Sequence, residues 1–151
     1  PKRSLPTEFE SDLKLPDGFE NPRLVAPGIV AIQARPFKMA ADHAQLRRFC
    51  ESISSDSPLR PFPLVTLVDD SEFAARSLQN WLWITFTRSN PACDVDGVEA
   101  AVQDKHWGCH GCLVIDARIK PHHAPPLVED PETNRKVDAR AARGGAIAKY
   151  L

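Results

Sequence analysis

Two hydrophobic runs of this chain end on carboxylates, a residue type that binds divalent cations and takes part in acid–base chemistry. Residues 64–68 (LVTLV) lead into Asp69 and Asp70, and residues 113–115 (LVI) lead into Asp116. In open α/β sheets, the carboxyl ends of parallel strands meet at the edge where ligands bind. Three carboxylates converging there would hold Mg²⁺ through oxygen ligands. The competing interpretation is structural: Asp70 caps a helix and Asp116 anchors a turn.

A second group of potential ligands surrounds the CHGC segment at residues 109–112. Zinc binds thiolates and imidazoles, and a closed structural site needs four ligands. A redox C-x-x-C pair, by contrast, normally follows a strand and opens a helix, whereas this segment precedes a strand. We therefore expect no metal at these loop cysteines. A zinc site would draw on His106, Cys109 and Cys112, with Cys93 or His110 as the fourth ligand.

Length and composition describe an ordinary globular domain. The chain has 151 residues, and its 19 basic and 20 acidic residues leave a formal net charge of −1. No block of like charge and no apolar stretch of about 20 residues occurs, which argues against nucleic-acid and membrane partners. The 4 cysteines are unevenly spaced, unlike a secreted disulfide framework. We therefore expect one cytoplasmic domain.

Hydrophobic spacing predicts alternating strands and helices. Residues 29–35 are rich in β-branched side chains and, like the runs 64–68 and 113–116, are typical of strands. A helix beginning near residue 42 follows from i, i+3, i+4, i+7 spacing of its apolar positions. These positions are Leu46, Phe49, Cys50 and Ile53.

The segment after Asp70 predicts a second helix, capped by Ser71 and ending at about Arg88. Its residues are apolar nearly all round, so we expect it to be central to the domain or covered by another domain or subunit. Residues 89–111 are expected to be irregular, with a short helical turn at 98–102. A polar helix precedes the glycines at 144 and 145 and lacks an apolar face of its own.

The order of these elements predicts a small three-layer α/β domain with a mostly parallel, Rossmann-like sheet. We expect residues 1–27 to form an extended arm or linker, residues 28–131 the α/β domain, and residues 132–151 a C-terminal helix and tail.

Over residues 28–118 the chain resembles the C-terminal domain of the UbiD family of decarboxylases. In that family a strand ending in V-D-D precedes a helix with W-A-x-x-T-R, followed by x-x-P-x-x-D and later by I-D-A. The upstream residues 42–44 (DHA) resemble the family's G-H-A. The matching framework residues here are Asp69, Asp70, Trp83, Thr87, Arg88, Pro91, Asp94 and Asp116.

The resemblance implies a role in a carboxy-lyase that acts on aromatic or unsaturated carboxylic acids. Family members bind prenylated FMN with a divalent metal, and their flavin site and Glu-Arg-Glu trio lie in the preceding domain. This chain is therefore expected to bind no cofactor alone, to contain no catalytic residue and to be inactive alone. It would be a non-catalytic lid and oligomerisation domain, or a separate subunit, that associates with a flavin-binding partner in a homo- or hetero-oligomer.

The resemblance also implies a location for the substrate pocket. The segment after x-x-P-x-x-D lines that pocket in the family, which makes His106 and Trp107 the candidates to approach a substrate here. Two functions of other classes remain open. One is a stand-alone Mg²⁺-binding α/β domain in the manner of a signalling receiver, and the other is a small zinc-binding interaction module.

Overall fold

The computed structural model describes residues 4–9, 13–125 and 128–150, and its centre is a five-stranded sheet within those residues. The strands are β1 (Phe19–Ala26), β2 (Ile29–Ala34), β3 (Leu64–Val68), β4 (Val95–Gly97), β5 (Ala100–Gln103), β6 (His106–Cys109) and β7 (Leu113–Asp116). The α-helices are α1 (Ala44–Ser52), α2 (Ser71–Ala75), α3 (Leu78–Arg88) and α4 (Pro131–Ala141), and 3₁₀ turns span Ala40–His43 and Ala148–Tyr150.

The sheet has the strand order β1-β2-β3-β7-β4. Its three inner strands, β2, β3 and β7, are parallel, and β1 and β4 pair antiparallel at the two edges. Ile32 lies opposite Leu67, which in turn lies opposite Asp116, so the inner strands end at the same edge. The predicted small α/β fold with a parallel core is confirmed.

Helices cover both faces of the sheet and make the domain three-layered. On one face, α1 buries Leu46, Phe49 and Cys50 against β2, β3 and β7, as its apolar spacing predicts. On the other face, α2 and α3 contribute Ala74 and Ile84 to a second, smaller core cluster. The inner strands are therefore covered on both sides, which explains their nearly continuous apolar sequences.

Part of the predicted N-terminal arm belongs to the sheet, because Phe19–Ala26 forms the edge strand β1. Its pairing with β2 shifts register twice, and Pro22 lies at the first shift. Proline and irregular register are typical of a sheet edge, and they hide this strand from sequence patterns. Before it, Phe9 packs on the core, while residues 1–3 and 10–12 of the arm lie outside the described residues.

The predicted helix from Ser71 to Arg88 is two helices, α2 and α3, and its cap is Asp70 rather than Ser71. The Asp70 carboxylate accepts a hydrogen bond from the Phe73 backbone N–H at 2.9 Å. Ser71 instead donates its hydroxyl to the Asn21 carbonyl at 2.5 Å, which ties α2 to β1. Ser77 starts α3 by accepting from the Asn80 N–H at 3.1 Å, so each helix has its own capping side chain.

The predicted irregular segment 89–111 contains β4 and a β-hairpin, and the helical turn expected at 98–102 is wrong. Strands β5 and β6 pair across Asp104 and Lys105, which both have positive φ, the backbone that a two-residue hairpin turn requires. Gly97 admits the hairpin, because a Cβ there would clash with the Cys109 side chain. The mixed composition and exposure of the hairpin conceal this strand pair.

The C-terminal polar helix is confirmed as α4. Asp130 caps it, with backbone N–H groups of Glu132 and Thr133 donating to its carboxylate. None of the residues of α4 is buried, as expected for a helix that lacks an apolar face. No helix in the described ranges has the length and apolar character needed to cross a membrane.

Truncation of a core phenylalanine tests the packing of α1. Phe49 is fully buried, so Phe49→Ala should lower the free energy of unfolding by about 3–5 kcal/mol through lost burial and a cavity. The matched control is Phe86→Ala, because Phe86 is 73% exposed and should contribute little to folding. Urea denaturation of both variants measures the difference. Equal losses would contradict this assignment of core and surface.

Candidate functional site

A buried ion pair occupies the edge at which the parallel strands end. The Arg118 guanidinium donates from Nε and Nη2 to the two carboxylate oxygens of Asp116, at 2.9 and 2.7 Å. The side chains of Arg118 and Asp116 are 0% and 1% exposed. Such a bidentate pair combines charge attraction with fixed geometry. It fixes the orientation of the chain as it leaves β7.

The rest of the Arg118 guanidinium joins β7 to two other elements. Its Nη1 donates to the Arg35 carbonyl, just after β2, and to the Gln45 side-chain oxygen on α1, both at 2.7 Å. The guanidinium carbon also lies 5.2 Å from the centre of the Phe37 ring. Arg118 therefore connects β2, α1 and β7 at one point.

Lys120 neutralises a second buried carboxylate. Its ammonium lies 3.2 Å from an oxygen of Asp94, and its side chain is fully enclosed. It also donates to the carbonyls of Arg88, Asp116 and Arg118 at 3.2, 3.0 and 3.3 Å. Because a buried ammonium needs acceptors for its protons, these contacts explain how Lys120 is tolerated. They tie the end of α3 to the end of β7.

The three carboxylates predicted to share an Mg²⁺ ion instead have separate partners. Asp70 caps α2, Asp116 pairs with Arg118, and Asp69 accepts from the Ile119 N–H at 2.7 Å. They do not bring their oxygens within ligand distance of one another in the described part of the chain. Asp70 therefore acts as a helix cap and Asp116 as a structural anchor after β7. The shared carboxylate site on which the receiver-like function depended does not form among the described residues.

Asp69, Arg88 and Trp83 form a second charged group on the α3 side. Arg88 Nη1 lies 3.3 Å from an Asp69 oxygen, and its guanidinium carbon lies 5.2 Å from the centre of the Trp83 ring. Thr87 donates its hydroxyl to the Trp83 carbonyl at 2.6 Å. The residues of the V-D-D and W-x-x-x-T-R motifs thus contact one another across the end of β3.

Trp83, Thr87 and Arg88 border an open cavity of about 400 Å³. Trp83, Ile119 and Pro125 give it apolar walls, and Arg88 supplies a positive charge. His123 also lines the cavity, and its Nδ1 accepts a hydrogen bond from the Lys120 backbone N–H at 3.1 Å. Partial burial lowers the pKa of His123, so its imidazole is predominantly neutral at neutral pH. The cavity is therefore mainly apolar, with Arg88, already paired with Asp69, at its margin.

The outer face of α3 is apolar and uncovered. Its exposed residues are Leu78, Leu82, Trp83 and Phe86. Trp83 is 54% exposed and Phe86 73%, while Trp81 and Ile84 on the opposite side are buried. An exposed apolar face is what we expect of a helix that another domain or subunit covers. This face is continuous with the cavity, because Trp83 belongs to both.

The proposed pocket residues His106 and Trp107 lie on the β5–β6 hairpin and are exposed. Gly97 lies opposite Leu113, the first residue of β7, so the chain leaves β4 at the edge where the parallel strands begin. The hairpin therefore branches from the end of the sheet opposite to Asp69 and Asp116. That His106 and Trp107 approach a substrate stays a prediction.

The cysteines predicted as an alternative zinc site are not brought together with His106. Cys112 is buried in the core beneath α1, whereas Cys93 is exposed on the turn before β4. Among the described residues, the group of three potential ligands within 4.8 Å of one another is instead His43, Cys93 and Asp94.

The fold and this site define a small three-layer α/β domain whose strand-end acids are structural and whose outer helix is uncovered. No protein-family model matches the chain. It is 31% identical over 93 residues to a Chlamydia pneumoniae protein that is named as one of the subunits of 4-hydroxybenzoate decarboxylase, a match that covers 62% of this chain and 16% of that protein. The resemblance to the UbiD decarboxylases predicted from the sequence motifs is thereby confirmed.

Two further proteins are similar to this chain. An uncharacterised protein of Chlamydia muridarum is 31% identical over 85 residues, which cover 56% of this chain and 15% of that protein. The open form of vanillic acid decarboxylase from Sedimentibacter hydroxybenzoicus aligns over 74% of this chain and 26% of its own, with 16% identity and a TM-score of 0.45. The chain spans only about 15% of the length of the curated relatives it matches.

Sequence reasoning missed the two buried cations of the site, Arg118 and Lys120. Arg118 and Lys120 follow Asp116 at alternate positions, and this D-x-R-x-K spacing after a strand is the signal that marks them. The contributions of Gln45 and of the Arg35 carbonyl carry no such signal, because they come from distant parts of the chain.

Removal of the Asp116 charge tests the buried network. Asp116→Asn leaves Arg118 buried without its counter-ion, so the free energy of unfolding should fall by about 3–5 kcal/mol. The control is Asp17→Asn, which removes a pair with Arg35 that is largely exposed and should leave stability nearly unchanged. Chemical denaturation measures both. A small effect of Asp116→Asn would show that the pair is dispensable.

Alkylation of the native protein tests the placement of the cysteines. Burial raises the pKa of Cys50 to about 12 and that of Cys112 to about 11, so neither is a reactive thiolate at neutral pH. Iodoacetamide should therefore modify the exposed Cys93 first and reach Cys50 and Cys112 only after unfolding. Peptide mass spectrometry identifies the sites. Rapid native modification of Cys112 would contradict the fold around α1.

Proposed function

We propose that this chain is a non-catalytic lid and oligomerisation domain of a UbiD-like carboxy-lyase that acts on aromatic or unsaturated carboxylic acids. The uncovered apolar face of α3 is the observation that carries this proposal. A helix with Trp83 and Phe86 facing outward is unfavourable in water, and a contiguous apolar patch of this kind marks an interaction surface. The similarity to a segment of a named decarboxylase subunit indicates the kind of partner.

The proposed partner is the flavin-binding catalytic domain or subunit of the decarboxylase. In this proposal the partner holds prenylated FMN and its divalent metal, and this chain contributes no catalytic residue. The α3 face and the adjoining cavity would form the contact: Trp83 supplies aromatic surface and Arg88 a guanidinium that pairs well with a carboxylate. A charge at the margin of an apolar patch fixes the register of the contact.

The hairpin offers a second surface for the lid function. We propose that His106 and Trp107 approach the substrate of the partner, while the α3 face supplies the more permanent contact. In this proposal the hairpin end of the sheet serves the substrate, and the end with α3 and its cavity serves the contact with the partner. The complete enzyme, in this proposal, is a homo- or hetero-oligomer of the cytoplasm.

Charge insertion on the α3 face tests the proposed contact. After co-expression with the flavin-binding partner, Trp83→Glu and Phe86→Glu should weaken association by about tenfold or more, because each buries a charge at an apolar interface. Val137→Glu is the matched control, since Val137 is an exposed apolar residue on α4. Size-exclusion chromatography and isothermal titration calorimetry measure association.

Two outcomes separate the parts of this proposal. Association that is unaffected by Trp83→Glu and Phe86→Glu but lost in Val137→Glu would move the interface to α4. Failure of the unmodified chain to associate with any flavin-binding polypeptide would overturn the proposed function itself.

A further inference from the structure

We infer that His43, Cys93 and Asp94 form a binding site for a transition-metal ion, with Zn²⁺ as the best fit. The potential ligand atoms of these three residues lie within 4.8 Å of one another. This is close to the spacing of ligands around one ion, so small side-chain rotations would bring all three into coordination. The group is separate from the α3 face and from the hairpin, and the proposed carboxy-lyase role does not use it.

Asp94 is the residue that points to a ligand. It is 1% exposed, and its Oδ1 accepts no hydrogen bond in the described part of the chain; His43 Nδ1 lies 3.5 Å from it. Its Oδ2, in contrast, accepts the Asn90 N–H at 2.7 Å and lies 3.2 Å from the Lys120 ammonium. A buried carboxylate oxygen that accepts no hydrogen bond is costly and requires an explanation. A bound cation would satisfy Oδ1.

The contacts of Asp94 Oδ2 are of the kind that orient a metal-binding carboxylate. Ligating carboxylates are usually held by hydrogen bonds to the oxygen that does not bind the metal. Here the Asn90 N–H and Lys120 hold the Asp94 carboxylate in one orientation, with Oδ1 directed to His43. The buried position of Lys120 fixes that orientation further, because its hydrogen bonds hold it to three backbone carbonyls.

His43 and Cys93 are placed on the open side of Asp94. The Nδ1 of His43 lies 3.5 Å from Asp94 Oδ1, and its ring packs edge-on against Phe37 with 4.8 Å between centroids. Cys93 is positioned by a turn in which its backbone N–H donates to the Asn90 carbonyl at 3.0 Å. Cys93 is exposed and His43 partly so, which gives an ion access from solvent.

The set of donor atoms selects the metal. One imidazole, one thiolate and one carboxylate match the ligands of Zn²⁺, whereas Mg²⁺ and Ca²⁺ prefer oxygen ligands alone. Three protein ligands leave the fourth tetrahedral position open for water or for a group from another molecule. Without a metal, Asp94 Oδ1 faces His43 Nδ1 at 3.5 Å and the Cys93 thiol is open to alkylating reagents.

The involvement of Cys93 therefore provides the test. Metal-free protein is titrated with Zn²⁺ by calorimetry, and with Co²⁺ as a spectroscopic probe. We expect one ion per chain, a cobalt–thiolate charge-transfer band in the near ultraviolet, and protection of Cys93 from iodoacetamide by Zn²⁺.

Cys93→Ser should abolish the charge-transfer band and weaken Zn²⁺ binding by about tenfold or more, since even outer contacts of a metal ligand contribute this much. It is the primary variant because Cys93 is exposed and its replacement should leave the fold intact. His43→Gln is a second variant on a partly exposed residue. Cys109→Ser is the matched control, because Cys109 is another accessible thiol outside the group.

Absence of stoichiometric metal, or binding that Cys93→Ser leaves unchanged, would overturn the site. Equal losses in Cys93→Ser and Cys109→Ser would also overturn it and would indicate an adventitious ion on surface thiols only. A thermal midpoint that Zn²⁺ raises in the unmodified protein and in Cys109→Ser, but not in Cys93→Ser or His43→Gln, would establish it. These outcomes do not depend on whether a flavin-binding partner exists.

Discussion

The architecture depends on the neutralisation of charges that follow β7. Asp116, Arg118 and Lys120 lie at alternate positions of one short segment, and all three are buried. Removing such charges from water costs several kcal/mol per ion unless each is paired and hydrogen-bonded. The partners come from the segment after β2, from α1, from the end of α3 and from the turn before β4. These four segments must assemble together, which makes this edge of the sheet a single cooperative unit.

The sequence predicts the centre of this fold better than its margins. β2, β3 and β7 are covered on both faces, so their nearly continuous apolar runs mark them. The edge strand β1 and the hairpin β5–β6 are half-exposed or exposed, and their mixed composition gives no such pattern. The division between α2 and α3 is hidden because only Arg76 and Ser77 mark it, and apolar residues occur on both sides of it.

The site was predictable in position but not in chemistry. Strand order alone places Asp69 and Asp116 at one edge, and the motif residues Asp94, Arg88 and Trp83 gather around them. A carboxylate at this edge is available to a metal ion only if no cationic side chain already neutralises it. For Asp116 that cation is two residues away, and the D-x-R spacing indicates it. For Asp94 the neighbours are Lys120 and His43, which only tertiary structure brings close.

The two outer strands make the sheet a poor template for further strand pairing. An open edge presents unpaired N–H and C=O groups that recruit other chains and promote aggregation. Here β1 is interrupted by Pro22 and two register shifts, and β4 is only 3 residues long. Bulges, proline and short edge strands are recognised protections against such recruitment. The molecule can therefore expose an apolar helix while its five-stranded sheet offers no long, regular edge strand, so fibril-like growth from that sheet is disfavoured while the apolar face of α3 remains open.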